Sequence, residues 1–479
     1  MVAGAAGSRL RCMTTPFLID PELLRRYDRP GPRYTSYPTA PQFTAAFGAE
    51  RLREHIRRSN AASPRAGLSV YAHVPFCFSP CFYCGCNRVI TRDAMRGERY
   101  VERLLAEVEL VAPLFEPRRE VVQLHLGGGT PNFLRPAEIS WLLGSLSRHF
   151  DLSSRADRDF SIELDPRSVQ PGDVAGLAQL GFNRASLGVQ DFDPNVQQAV
   201  NRRQTVQETL AVIDACRREG FRSVNVDLIY GLPRQTLEGF AATLRTVIGA
   251  RPDRLAVYGY AHLPQLFKAQ RRINAGELPD AGRRLALLAL AIETLTGAGY
   301  RYIGMDHFAL PADELAQAQR TGGLHRNFMG YTTHADTDLL GLGVSAISHI
   351  GASFSQNLRD LPSWESAVDE GRLPIWRGFE LDADDRLRAE VIQSLMCRGE
   401  IDIPRIESRH GIVFQEYFRE SLRKLQPLAE DGLVTLEPGA VRASDRGRLL
   451  LRSIAMCFDR YLEGRSPQGA DAPRFSKAV

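Results

Sequence analysis

SVYAHVPFCFSPCFYCGC, residues Ser69–Cys86, opens with a short run rich in β-branched and aromatic residues and closes with a crowd of thiols. Ser69–Val74 predicts a strand. Cys77, Cys81, Cys84 and Cys86 follow it within ten residues, so they lie on a loop at a strand end. The other cysteines of the chain are Cys12, Cys216, Cys397 and Cys457. A chain of 479 residues, 44% of them hydrophobic, buries a large core without crosslinks. Thiols packed this closely in such a chain point to metal binding or redox chemistry rather than to a disulfide framework.

Working outward from this strand, the chain alternates strand and helix. Val121–Leu126, Asp159–Leu164, Arg184–Val189, Ser223–Ile229, Leu255–Ala261 and Tyr302–Met305 read as further strands. Helical stretches fall between most of them: Tyr100–Leu114, Pro136–His149, Val206–Arg218, Leu237–Ile248 and Arg283–Thr296. Repeated β-then-α order predicts an α/β fold of parallel strands joined by right-handed crossovers. About seven units suggest a full or partial (β/α) barrel, whose chemistry sits at the carboxyl ends of the strands.

The flanks differ. Residues 1–64 are polar and turn-rich, and the prolines of PRYTSYPTA (Pro32–Ala40) predict an extended loop there. After about Gly351 the alternation stops. Asp384–Cys397, Ile403–Ser408 and Phe414–Leu425 look helical, Leu433–Leu436 and Ala440–Arg442 suit a small β wing, and Arg446–Leu462 reads as a closing helix. This gives an N-terminal segment (1–64), a barrel (65–350) and a helical, winged-helix-like C-terminal domain (351–479). The first twelve residues lack the apolar core of a secretory signal, and Met13 is a plausible start. No stretch approaches the ~18 apolar residues of a membrane span. Sixty Lys+Arg against 56 Asp+Glu leave a net charge of only +4, which makes nucleic acid a poor default partner. The expectation is a cytoplasmic protein, with nothing that demands more than a monomer.

Three thiolates spaced x3 and x2 can curl around one inorganic cluster, and soft thiolates select zinc, copper(I) or iron–sulfur. A structural zinc site is the competing reading; it would need Cys86 or His73 as a fourth ligand. Other strand ends carry polar residues. Gly127-Gly128-Gly129-Thr130-Pro131 follows Val121–Leu126, where glycines allow close backbone approach, though such a turn is often just a tight β–α connection. Glu163 and Asp165 share one face of their strand, and Glu163 suits either a bound ammonium or ribose, or a salt bridge to Arg167. Gln190, Asp227 and Arg202 also fall at strand ends, and Arg202 could pair with a carboxylate. His73, His125, His262 and His307 lie at or near strands and read as packed, hydrogen-bonded residues; they and His325 receive no role.

The Cx3Cx2C spacing, with Tyr83 before the third cysteine, resembles the signature of the radical S-adenosylmethionine (SAM) enzymes. The flanking sequence is closer still: YAHVPFC into CGCN, SIELDPR (Ser161–Arg167), LGVQDF (Leu187–Phe192), DLIYGLP (Asp227–Pro233), YAHLP (Tyr260–Pro264), IGMDHFA (Ile303–Ala309), LHRNFMGYTT (Leu324–Thr333) and DLLGLGVSAIS (Asp338–Ser348). Together they resemble the oxygen-independent coproporphyrinogen III oxidases over nearly the whole chain, from Tyr27 to the RFSKAV tail. The resemblance implies a 4Fe–4S cluster on Cys77, Cys81 and Cys84, with SAM on the fourth iron and two SAM molecules in all. It implies SAM contacts at Tyr71, Tyr83, Gly128, Gly129, Thr130, Glu163, Gln190, Arg202, Asp227, Ala261 and Ile347, and puts Tyr71, Glu163 and Cys86 forward as catalytic candidates, the role of Cys86 being open. The implied reaction turns two propionates of coproporphyrinogen III into vinyl groups by way of a 5′-deoxyadenosyl radical, giving protoporphyrinogen IX in haem biosynthesis, with an electron donor and a final acceptor outside the chain. PRYTSYPTA would cover the barrel mouth, where Arg33 could meet a propionate or serve only its loop. Two rival readings are a radical-SAM-like haem chaperone, which would lack PRYTSYPTA and the Cys84/Cys86 pair, and a winged-helix nucleic-acid binder using Arg442, Arg446, Arg448 and Arg452.

Overall fold

The computed structural model describes residues 21–27, 29–62, 66–335 and 337–462. Cys12, the choice between Met1 and Met13, and the RFSKAV tail lie outside the described residues. One large sheet organises the chain. Its strands are β1 (Leu68–Val74), β2 (Glu120–Gly128), β3 (Asp159–Leu164), β4 (Arg184–Gln190), β5 (Ser223–Tyr230), β6 (Arg254–Gly259), β7 (Arg301–Gly304), β8 (His307–Ala309), β9 (Asp338–Leu342), β10 (Ile347–Ile350), β11 (Ser353–Asn357) and β12 (Ile375–Glu380). They pair in the order β7–β8–β6–β5–β4–β3–β2–β1–β9–β10–β11–β12, with Asp151–Leu152 added beside β2. Every pairing from β6 across to β9 is parallel. The path is open, with no pairing between its two ends among the described residues; this is the partial form of the expected barrel.

Period two divides the parallel strands into two faces. Val70, Ala72, Leu124, Leu126, Ile162, Leu187, Val224 and Val226 form an apolar face that is fully buried within the main core. Gln123, His125, Ser161, Glu163, Ser186, Asn225, Asp227 and Tyr258 form the other face and line a cavity of about 170 Å³. Strands buried on both sides usually read as continuous apolar runs. Polar residues on an interior face must find partners, and these do: Ser69 Oγ donates to Gln123 Oε1 (3.0 Å), and Gln123 Nε2 donates to Thr332 Oγ1 (3.2 Å). The crossover helices have sequence-encoded starts. Thr205 and Glu208 cap Val206–Arg218 reciprocally, and Asp280 accepts from the Arg283 N–H at 2.7 Å to open Ala281–Gly297.

Four expectations change. Tyr302–Met305 is not a seventh parallel strand: β7 turns back into β8 through Gly304 and Met305, both at positive φ, and the hairpin adds to β6 antiparallel. The seventh parallel strand is β9. The sheet does not stop at Gly351, since β11 and β12 extend it antiparallel to Glu380. The N-terminal segment contains a helix, Ala49–Ala62, that buries Leu52 and Ile56. The closing helix is broken into Gly447–Leu450, Leu451–Ala455, Met456–Phe458 and Arg460–Leu462. Gly447 lies against the Leu433 carbonyl with no room for a Cβ, which bends the chain there.

The C-terminal region builds its own core from Leu387, Val391, Leu395, Phe414, Phe418, Leu425 and Phe458. Its wing is three-stranded, because Glu400–Asp402 pairs with Ala440–Ala443, which pairs with Val434–Glu437. Tyr27, Tyr34 and Tyr37 of the N-terminal segment belong to this core. Tyr34 Oη donates to Asp459 Oδ2 at 2.9 Å, Tyr37 Oη accepts the Arg460 N–H at 3.2 Å, and Arg452 Nε donates to the Pro32 carbonyl at 3.2 Å. PRYTSYPTA is a loop, as expected, but not an extended one: it bends over residues 35–38 with Tyr34 at φ 47°, and it is strapped to the C-terminal region.

Candidate active site

The cysteine loop leaves the carboxyl end of β1 and is held by backbone bonds. Val89 N donates to Pro75 O (2.7 Å), Thr91 N to Cys77 O (3.0 Å) and Phe82 N to Val200 O (2.9 Å). Arg88 crosses beneath it and donates to the carbonyls of Cys84 (3.1 Å) and Cys81 (3.2 Å). Cys77 and Cys81 are buried, Cys84 is partly so, and Cys86 is exposed. Donors converge on the sulfurs: Thr130 Oγ1 on Cys77 Sγ (3.4 Å), Arg202 Nη1 and Arg167 Nη2 on Cys81 Sγ (3.5 and 3.6 Å), and the Cys86 N–H on Cys84 Sγ (3.4 Å). Burial pushes the Cys77 thiol up to about 11, whereas hydrogen bonding from Cys86 draws the Cys84 thiol down to about 6.

Those donors are what anionic sulfur needs, since charge-assisted hydrogen bonds are about twice as strong as neutral ones. Three thiols on one loop, ringed by two guanidiniums and a hydroxyl, fit a thiolate-bound iron–sulfur cluster. Among the described residues no three His, Cys, Asp or Glu side chains converge as ligands of a single metal ion would.

The glycine turn closes on the same loop. Gly129 N donates to Val74 O at 2.8 Å, and a Cβ on Gly129 would stand 2.7 Å from the Phe76 carbonyl oxygen. Gly128 has φ 121°, and a Cβ there would meet the His73 ring at 2.7 Å. These glycines therefore let the end of β2 lie against the strand-to-cysteine junction, in addition to any ligand they admit.

Glu163 and Asp165 have different partners. Glu163 Oε2 accepts the Gly128 N–H (3.1 Å) and Oε1 faces His125 Nε2 (3.3 Å), while its side chain stays 42% exposed toward the cavity. Tyr71 stacks on the His125 ring at 5.7 Å, and its hydroxyl meets His73 Nδ1 at 3.0 Å. Asp165, not Glu163, takes Arg167 (2.6 Å) and Arg202 (3.2 Å). Burial works against the Asp165 charge, but these two guanidiniums hold its carboxyl below the ordinary range. Arg202 is buried, and a Cβ on Gly188 would stand 3.0 Å from its Nη2, so Gly188 makes the room for it. Asp227 accepts from Asn225 Nδ2 (2.8 Å) and Ser186 Oγ (3.2 Å), and burial, then the Glu163 charge, pushes it up to about 6.

The remaining candidates fall around the same rim. Gln190 ends β4 at φ 69°, beside Gly188 and Arg202. One amide, Gln270 Nε2, ties the carbonyls of Tyr83 (2.9 Å) and Ala261 (3.1 Å) together. The Ile347 backbone packs against Gly341 of β9 with no space for a Cβ. His73, His125 and His262 are hydrogen-bonded, as expected, whereas the His307 Nδ1 is buried without a partner. Arg33 forms an ion pair with Asp306 and stacks over Tyr258 at 5.3 Å. Sequence reasoning missed Asp165, Arg88 and Arg167 as the cradle of the sulfurs. It also missed Tyr258 of β6, which lines the 170 Å³ cavity with His307 of β8, and Arg326, which the hairpin His325–Asn327/Gly330–Thr332 sets over the Tyr331 ring.

Comparison with known proteins follows this geometry. A profile of the Radical SAM superfamily matches residues 71–247, and a profile of the HemN C-terminal domain matches residues 381–450. The chain is 49% identical over 460 residues to the oxygen-independent coproporphyrinogen III oxidase of Pseudomonas aeruginosa, covering 96% of this chain and 98% of that one. It is 47% identical to the enzyme of the same name from Escherichia coli, with the same coverage. The solved structure of coproporphyrinogen III oxidase (HemN) from Escherichia coli, described as a radical SAM enzyme, superposes with a TM-score of 0.88 at 46% identity, over 94% of this chain and all of that one.

Proposed function

Since the chain belongs to the oxygen-independent coproporphyrinogen III oxidases of the radical SAM superfamily, we propose that it converts two propionate side chains of coproporphyrinogen III into vinyl groups, yielding protoporphyrinogen IX. Each conversion takes one hydrogen atom from the propionate β-carbon, releases the carboxylate as carbon dioxide, and leaves one electron for an acceptor outside the chain. An unactivated C–H bond does not yield to a side-chain base; the 4Fe–4S cluster and SAM, when bound, supply the radical chemistry that breaks it. The protein acts as a cytoplasmic monomer that draws electrons from a separate donor. Among the described residues, no helix is long and apolar enough to cross a membrane.

The observation that carries the reading is the ring of donors on the three thiols of the loop that leaves the carboxyl end of β1. Cys77, Cys81 and Cys84 hold the cluster, and Thr130, Arg167 and Arg202 stabilise its sulfur charge. Glu163, held by the Gly128 N–H, offers its free lone pairs to the ammonium or ribose of SAM. Tyr71, Tyr83, Gly128, Gly129, Thr130, Gln190, Arg202, Asp227, Ala261 and Ile347 complete the SAM contacts, for up to two molecules. Tyr71 and Glu163 face the reacting region through the Tyr71–His125 stack, and Cys86 lies beside the cluster without ligating it. The N-terminal segment and the hairpin at His325–Thr332 restrict water at the open side. Anaerobic replacement of Cys77, Cys81 or Cys84 by Ala tests the assignment: each variant should lose its iron and its cleavage of SAM. A fully iron-loaded, SAM-cleaving Cys84→Ala variant would overturn it.

A further inference from the structure

Among the described residues, five arginines are buried to at least nine-tenths: Arg119, Arg184, Arg202, Arg326 and Arg452. Arg119 meets Asp338, Arg184 meets Glu314 and Arg202 meets Asp165, while Arg452 donates to the Pro32 carbonyl. Arg326, at 5% exposure, has no carboxylate within ion-pair distance among the described residues, and its Nε and Nη1 have no hydrogen-bond partner. A buried cation without an anion costs several kcal/mol unless something arrives to pair it.

The place is built rather than accidental. Gln393 of the helix Ala383–Arg398 donates to the Arg326 carbonyl at 2.9 Å, fixing the hairpin that carries it, and the guanidinium lies over the Tyr331 ring at 4.8 Å. Arg33 stands nearby but is already neutralised by Asp306. Burial, and next the Arg326 charge, push the Arg33 guanidinium down to about 10. Of these two cations only Arg33 has a carboxylate, and the His307 Nδ1 beside them is buried without a partner. Arg326 opens onto a cavity of about 870 Å³ between the hairpin, the N-terminal strap and the C-terminal helix. That volume suits a large organic ligand. Phe328 and Phe354, edge to face at 5.8 Å, give its wall an apolar surface against which the pyrrole rings of a tetrapyrrole can lie.

We infer that Arg326 is the receptor for a carboxylate of the tetrapyrrole substrate, orienting the macrocycle in this cavity so that a different propionate meets the reacting centre. The inference rests on the proposed activity and adds to it a residue that selects the substrate by its carboxylates. An arginine fork facing a carboxylate is the expected chemistry for such selection.

The test titrates the full-length protein with coproporphyrin III, the stable fluorescent oxidised tetrapyrrole, and with its tetramethyl ester. Wild type should prefer the acid. Arg326→Gln should lose about thirtyfold in affinity for the acid and little for the ester, and Arg326→Lys should recover part of the loss. Removing an unpaired buried charge should not lower the thermal midpoint. An Arg326→Gln variant that keeps the acid-over-ester preference overturns the inference, as does one that loses both ligands equally with a lowered midpoint. A wild type without that preference overturns it too. Turnover of coproporphyrinogen III by the loaded wild type, measured alongside, separates the two claims: turnover with an unchanged Arg326→Gln preference removes the role of Arg326 only, and absence of turnover removes the activity itself.

Discussion

Glu163 and Asp165 stand two residues apart on one strand and serve different partners. Asp165 is consumed by Arg167 and Arg202, and so fixes the guanidiniums that face Cys81; Glu163 keeps an open carboxylate edge. Glu163→Gln should therefore retain iron but bind SAM about ten- to a hundredfold more weakly, because a carboxylate–ammonium hydrogen bond is worth roughly 1.5–3 kcal/mol; equilibrium dialysis against SAM measures it. Cys86→Ala should keep its iron, and losing it would make Cys86 a ligand. Away from the site, Glu107 accepts the Gly343 N–H (2.7 Å) and Asn357 Nδ2 (2.6 Å), yet burial outweighs both and pushes it up to about 7. A raised acid stabilises the fold below its unfolded value, near 4.5, and that contribution is lost as pH rises through about 7. The wild-type thermal midpoint should fall more between pH 5 and pH 8 than that of Glu107→Gln; equal falls would contradict this. The cysteine loop was legible in the sequence because its thiols are neighbours in the chain. The Asp165–Arg202–Cys81 chain was not, because sequence separation hides contacts made across strand ends.

At the scale of elements, the repeated β-then-α order made the parallel strands and their helices readable. Thr205 and Glu208 sit three apart before an apolar helical pattern, and the helix starts there. Thr205→Ala should cost about 1 kcal/mol of stability, checked by denaturant titration, with no change in SAM affinity. What misled was local backbone. Gly304 and Met305 at positive φ turn a strand into a hairpin, and Gly447 against Leu433 breaks a helix that hydrophobic pattern alone would continue. Glu400–Asp402 is three residues long and carries no pattern of its own; it becomes a strand only because Ala440–Ala443 is beside it.

For the whole molecule, the N-terminal strap joins the C-terminal core to the open side of the sheet. Tyr34, buried and bonded to Asp459, is part of that core. Tyr34→Phe should lower stability by roughly 1.5–3 kcal/mol, and deleting residues 1–45 should destabilise the C-terminal region and impair substrate turnover while SAM binding persists; calorimetry and dialysis report the two effects. An unchanged turnover would contradict the role given to the strap. That the sheet runs on to Glu380 was not visible, because β11 and β12, although a helix (Leu361–Asp369) lies between them, pair antiparallel and do not repeat the parallel crossover. The central claim is a radical decarboxylation of a tetrapyrrole, and the most direct measurement is strictly anaerobic incubation of the iron-loaded protein with coproporphyrinogen III, SAM and a reductant, followed by mass analysis. The expected result is two successive losses of carbon dioxide with SAM consumed in step; SAM consumption with an unaltered tetrapyrrole, or decarboxylation only when oxygen is admitted, would contradict it.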